Sequence, residues 1–335
     1  MRRRPITQHA VLPSRTMARL AALAATAVLA ACGGAVSTSP SSPSAAPDAT
    51  AAAAATAANA ATTELVADID VGGGRTQHLV CLGPTDLAEP TILLEAGLGS
   101  PFVAWSDILG PLSETHRVCA YDRAGVGDSP AAPGTARTTA DVLIDAHSML
   151  AAAEVNGPFV LVGHSFGAWP VALYAAMYPS EVVGVVLVDP RGPGVSDAWA
   201  AALPPAASAE PEAVTLNRDE LATFEHDPSL NDEHMDLAAS SLQVIAALDK
   251  PGPLFASRPV VVLRASETPT GWADLPADLA AAFDEAWFAG QQAFADESES
   301  GEVVTVEGAG HEIHADQPEV VISAIEAMLA SVTGT

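Results

Sequence analysis

Phe159-Val160-Leu161-Val162-Gly163-His164-Ser165-Phe166-Gly167-Ala168 is the stretch that decides the reading of this chain. A short apolar run leads into G-x-S-x-G, and an apolar segment of helical character follows. This is the sequence of a nucleophile elbow, where a serine sits on a tight strand-to-helix turn with its hydroxyl pushed into the open. Such a turn strains the serine backbone, and its neighbours two places away must be small so that strand and helix can approach. Gly163 and Gly167 meet that need. The bare pentapeptide is a common pattern; the strand before it and the helix after it give it weight.

Outward from the elbow, hydrophobic periodicity predicts alternating strands and helices. Leu65–Val71 and Thr76–Leu82 read as strands around Gly72-Gly73-Gly74. Thr91–Glu95 reads as a buried strand running into Gly97-Leu98-Gly99, then Trp105–Leu112 as a short helix and Arg117–Tyr121 as a strand. Thr139–Ala153 has helical spacing. Phe166–Tyr178 is the helix after the elbow, with Pro170 near its start, where a missing N–H costs least. Val182–Val188, Pro259–Leu263 and Glu302–Val306 are further strands, and Asp278–Phe294 and Gln317–Leu329 further helices. The pattern predicts an α/β fold, a mostly parallel central sheet with helices on both faces. From Arg191 to Ser257 the alternation stops. That stretch, rich in Ala, Pro and acids, has one good helical segment, Asp232–Leu248. It reads as a helical cap insertion at about 191–257, over the C-terminal edge of the sheet, where open α/β folds bind ligands.

The 335 residues are 49% apolar, enough for a sizeable core, and carry a formal net charge of -27 with a single lysine, Lys250. No basic stripe exists to neutralise phosphates, which excludes nucleic acid as a partner and disfavours polyanionic substrates. Residues 1–31 read as a targeting segment. Arg2, Arg3, Arg4, Arg15 and Arg19 form its basic part, and Leu20–Ala31 is an apolar run well short of the roughly 20 residues that span a bilayer. The run ends in Leu29-Ala30-Ala31-Cys32, followed by Gly33-Gly34. This resembles the bacterial lipobox, which implies lipidation at Cys32 and an exported, membrane-anchored lipoprotein; an ordinary secretory signal cut after Ala31 is the alternative. The arginine run leaves Sec and twin-arginine export both open. Residues 32–63 are mostly Ala, Ser, Thr and Pro with one charge, Asp48. They have no apolar face to bury and read as a disordered tether, so the folded domain is expected over 64–335. Cys81 and Cys119, both on expected strands, could pair in an oxidising compartment or remain two buried thiols.

Four segments then carry a resemblance to the α/β-hydrolase superfamily: Leu94-Glu95-Ala96-Gly97-Leu98-Gly99, Tyr121-Asp122-Arg123-Ala124-Gly125-Val126-Gly127, the Gly163–Gly167 elbow and Gly308-Ala309-Gly310-His311. The family's sheet order makes the Cys81 and Cys119 strands neighbours, which implies a disulfide. It also implies a serine hydrolase of the esterase and lipase kind, acting on a small-molecule carboxylic ester through an acyl-enzyme. No cofactor, no protein partner and no membrane contact beyond the lipid anchor are expected. Hydrolysis of amides, thioesters or carbon–carbon bonds is possible with the same groups. A binding protein that keeps the fold without turnover is the alternative from a different class, and a broken triad would mark it.

Ser165 needs a base, and the base an orienting acid. Of the nine histidines, His164 leaves the elbow in another direction and is expected to pack behind the site. His147 falls on a helix away from the sheet's edge, and His226 and His234 fall in the insertion. His311 follows a strand and three small residues and matches the family base; His314 is its competitor. Two acids keep the Ser…acid…His order: Asp189, directly after the Val182–Val188 strand, is preferred over Glu267, after the next strand. The resemblance implies an oxyanion hole from the backbone N–H groups of Leu98 and Phe166. Asp122 and Arg123 read as a turn-stabilising pair. No metal site is expected, since His311-Glu312-Ile313-His314 lacks the H-E-x-x-H spacing. The Ala, Leu and Pro of the insertion suggest an apolar pocket.

Overall fold

The computed structural model describes residues 64–334 except 86–87, 133, 135, 268–271 and 273. The targeting segment, the tether and Cys32 lie outside the described residues. Among the described residues, eight strands form one sheet. In chain order they are β1 (Leu65–Gly72), β2 (Arg75–Leu82), β3 (Thr91–Glu95), β4 (Val118–Tyr121), β5 (Phe159–His164), β6 (Val182–Val188), β7 (Val260–Ala265) and β8 (Gly301–Val306). Their spatial order is β1-β2-β4-β3-β5-β6-β7-β8. The β1–β2 and β2–β4 pairs are antiparallel and every other pair is parallel. The expected mostly parallel sheet is present, with β5 inside it.

Both faces are covered, which is why the inner strands read as unbroken apolar runs. Along β5 the side chains alternate between two cores. Phe159 and Leu161 pack with α2 (Thr139–Ala152) and α3 (Ala168–Met177). Val160 and Val162 pack with α1 (Ser106–Ser113) and α9 (Pro318–Thr333). Thr138 opens α2 with a capping box that Asp141 closes, so this helix starts where its cap places it. Cys81 and Cys119 face each other across β2 and β4 and are joined by a disulfide.

The insertion departs from expectation. In place of one helix from Asp232 there are three: α4 (Val195–Ala202), α5 (Glu212–Thr223) and α6 (Leu237–Leu248). The Asp236 carboxylate accepts from Ala239 N–H and caps α6, and His234 just before it takes a left-handed φ of 55°. The helix therefore begins five residues later than its periodicity suggests. Nor do the three helices share a place. α6 lies in the core with α2 and α3. α4 and α5 join an aromatic cluster with α7 (Ala277–Asp296), built on Trp199, Trp272, Phe283 and Trp287. A short α8 (Ile313–Asp316) precedes α9.

Candidate active site

The parallel strands end together, and the loops after them meet at one edge. The elbow follows β5. A Cβ on Gly163 would lie 2.8 Å from the Gly167 carbonyl oxygen, and one on Gly167 2.4 Å from that of Glu95. Any side chain at either place would force strand, helix and the β3 loop apart. Ser165 itself has φ 51°, the left-handed backbone that non-glycine residues avoid.

Ser165 Oγ lies 3.0 Å from His311 Nε2, and His311 Nδ1 lies 2.7 Å from Asp189 Oδ2. The three residues come from the loops after β5, β8 and β6. Asp189 also has left-handed backbone, φ 40°. Its side chain is 1% exposed, and donors surround it. Oδ1 accepts from Gln291 Nε2 at 2.7 Å and from the Ala265 N–H at 3.1 Å. Gln291 is on α7, which approaches the strand end closely because Gly290 meets Gly192 there; a Cβ on Gly192 would be 2.3 Å from the Gly290 Cα. Four residues before Gln291, on the same helix face, Trp287 stands edge-on to the His311 ring at 5.5 Å. Glu267, the other candidate acid, is exposed, and its backbone N–H donates to the Ala309 carbonyl. The partner of His311 Nδ1 is Asp189, one strand earlier in the sheet.

The other histidines divide. His164 is buried, and its Nε2 lies 3.0 Å from the His311 carbonyl oxygen, fixing the backbone that carries His311. His314 lies against Trp105 and His164 with ring centroids 4.6 and 4.5 Å apart. Burial, then the nearby His314 and His311, holds the His164 pKa well below the ordinary 6.5. Burial, then His311, pulls His314 down to about 4. Both rings are neutral at neutral pH. The sequence reading named no metal site, yet His164, Glu312 and His314 offer ligand atoms within 4.8 Å of one another and could hold an ion. His164 Nε2 already faces the His311 carbonyl, so such an ion would compete with that contact.

Leu98 sits in the loop after β3, and Phe166 is buried in the first turn after Ser165. Asp122 holds its turn, accepting from the Phe102 and Asp128 N–H groups at 2.6 and 2.9 Å. Arg123 is a correction. It does not pair with Asp122; it turns inward, 2.5 Å from Glu95 Oε1 and 2.6 Å from Glu233 Oε2. Burial opposes the Arg123 charge, but Glu233 and Glu95 outweigh it and hold its pKa above the ordinary value. Sequence reading missed Gln291, Trp287 and Glu233. A glutamine on the apolar face of the Asp278–Phe294 segment was the available signal for Gln291; Glu233 carried none.

Residues 92–324 match a family model described as the alpha/beta hydrolase family. Among curated proteins, the chain is 36% identical over 101 residues to the uncharacterized protein YqjL of Bacillus subtilis, covering 30% of this chain and 39% of that one. It is 30% identical over 132 residues to an AB hydrolase superfamily protein of Gibberella zeae, covering 38% and 41%. The matched stretches thus span well under half of these relatives. Among solved structures, Cfl2 from Burkholderia cenocepacia superposes with a TM-score of 0.54 at 23% identity, over 79% of this chain and 95% of that one. A thermophilic esterase from Thermogutta terrifontis gives 0.53 at 21% identity, over 81% and 99%. These likenesses establish the fold.

Proposed function

We propose that this chain, which belongs to the alpha/beta hydrolase family, is a serine hydrolase that cleaves carboxylic esters. The observation that carries this reading is the hydrogen-bonded line from Ser165 through His311 to Asp189. As Ser165 Oγ attacks the acyl carbon, its proton passes to His311 Nε2. Asp189 fixes the tautomer through Nδ1 and stabilises the imidazolium. The carbonyl oxygen gains charge opposite the N–H groups of Leu98 and Phe166, where one such donor contributes about 2.7–4 kcal/mol. His311 returns its proton to the leaving alcohol, and water then repeats the sequence on the acyl-enzyme.

The aromatic cluster that begins at Trp287 supports an apolar ester. A binding protein without turnover would be marked by a broken triad; the 2.7 Å contact between His311 Nδ1 and Asp189 Oδ2 favours the enzyme reading. Export as a lipoprotein anchored through Cys32 is part of the same proposal and rests on the first 32 residues of the sequence. Among the described residues no helix is long and apolar enough to cross a membrane.

A panel of activated acyl esters of graded chain length tests the activity. The wild-type chain is expected to turn over at least one member, and Ser165→Ala to lose that turnover with its thermal melt nearly unchanged. Turnover near wild type in that variant ends the proposal.

A further inference from the structure

We propose that Arg123 and Glu233 are positioning residues that aim the Leu98 N–H at the reacting carbonyl oxygen. This rests on the reading of Ser165 as nucleophile and deepens it. The Leu98 N–H shares one peptide group with the Gly97 carbonyl. That bond is trans, the Gly157–Pro158 bond being the cis one among the described residues. In a planar trans peptide the C=O and N–H point in opposite directions. Arg123 Nη2 donates to the Gly97 carbonyl, so the Leu98 N–H must point away from the guanidinium. Gly97 itself abuts the elbow: a Cβ placed on it would be 2.9 Å from His164 Nδ1 and 3.5 Å from Ser165 Cβ. No acceptor among the described residues takes the Leu98 N–H.

The flanking peptide groups are held by the same ion pair. Arg123 Nη1 donates to the Ala96 carbonyl at 2.6 Å. Glu233 Oε1 accepts from the Gly99 N–H at 2.6 Å and from Arg123 Nη2 at 2.7 Å, while its Oε2 accepts from Arg123 Nε at 2.6 Å. Three consecutive peptide groups, Ala96–Gly97, Gly97–Leu98 and Leu98–Gly99, are therefore fixed by one arginine and one glutamate. Their side chains are 2% and 0% exposed. A buried charge pair of this kind is a weak source of stability, because desolvation offsets most of its attraction. Its hydrogen bonds are spent on orientation of the loop. Glu233 precedes α6 within the insertion, so the aim of the donor depends on the insertion being docked on the β3 loop.

The test reads kcat and KM on an activated ester beside the inhibition constant of a trifluoromethyl ketone. Ser165 Oγ adds to the ketone carbon, its proton passes to His311, and the carbonyl electron pair becomes the oxyanion of a hemiketal. Glu233→Gln removes the charge. Glu233→Asp keeps it but is one methylene too short to hold Arg123 and Gly99 together. Each variant is expected to lower kcat by about 10–100-fold, on the scale of a weakened oxyanion donor, with KM within about threefold of wild type. The ketone should bind more weakly by a factor similar to the loss in kcat. Wild-type kcat and ketone affinity in a folded variant, or a change in KM alone, overturns the proposal. Should Glu233→Gln not fold, the charge-retaining Asp variant decides the matter alone. A wild-type protein that the ketone does not inhibit sinks the reading of Ser165 and this inference with it. Ketone inhibition of wild type, lost in Ser165→Ala but untouched at 233, sinks the inference only.

Discussion

At the scale of single residues, Asp189 is where chemistry and backbone meet. It stands at a strand end with left-handed φ, buried, its two oxygens engaged by His311, Gln291 and the Ala265 N–H. Asp189→Asn should lower kcat/KM by orders of magnitude, because an amide gives His311 neither charge nor the right tautomer; in a serine protease the same change costs about 10⁴-fold in kcat. Glu267→Gln should stay within a few-fold of wild type. Measuring both on one ester, with melts to check folding, sets the two acids against each other. A dead Gln variant at 267 beside an active, folded Asn variant at 189 would reverse the assignment. Ser165 was legible from its glycines and His311 from its place after a strand, since both follow from local sequence. The acid stayed open between two positions because two adjacent parallel strands each end in a nearby carboxylate. Tertiary placement separates them: Asp189 is buried beside His311 and held by Gln291 of α7, while Glu267 is exposed.

At the scale of elements, the β8–α8 loop carries His311 against two neutral imidazoles. His314 faces His164, His311, Glu312, Asp316 and Asp107. With its folded pKa near 4 and an unfolded value near 6.5, the unfolded chain binds the extra proton between those values. Stability should therefore fall as pH drops from about 6.5 to 4 and level off below, by at most about 3 kcal/mol from this group. Denaturant unfolding of wild type and His314→Gln across that range checks it. The loss with falling pH should be smaller in the variant, and equal slopes would contradict the depressed pKa. Strand bounds were readable here to within a residue or two, because β3, β5 and β6 are buried on both faces and each is built on an apolar run, Ile92–Leu94, Phe159–Val162 and Val185–Val188. The insertion was not, because α4 is only eight residues long and buries just Val195 and Trp199, while α5 buries only Val214 and its polar, acidic sequence has a weak period. The onset of α6 was misplaced for a different reason: the Asp236 cap outweighs the apolar rhythm upstream of it.

At the scale of the whole molecule, we propose that the chain comprises a leader, a charge-poor tether and an acidic hydrolase domain, and the anchor has its own test. Cys32→Ser should release the protein from membranes into the soluble fraction with specific activity unchanged, as read by fractionation and ester turnover. Unchanged membrane association would mean another attachment. The fold class was readable from the order of strands and helices because parallel α/β topology repeats one pattern along the chain. The Arg123–Glu233 clamp was not, since 110 residues separate its partners and no local rhythm links them. The proposed catalysis turns on Ser165 being an activated nucleophile. The measurement that addresses this most directly is fluorophosphonate labelling of the intact protein, with the modified peptide located by mass spectrometry. One adduct on Ser165 in wild type, strongly slowed in His311→Ala, is the predicted result. A folded wild-type protein that takes no adduct at Ser165 would contradict it.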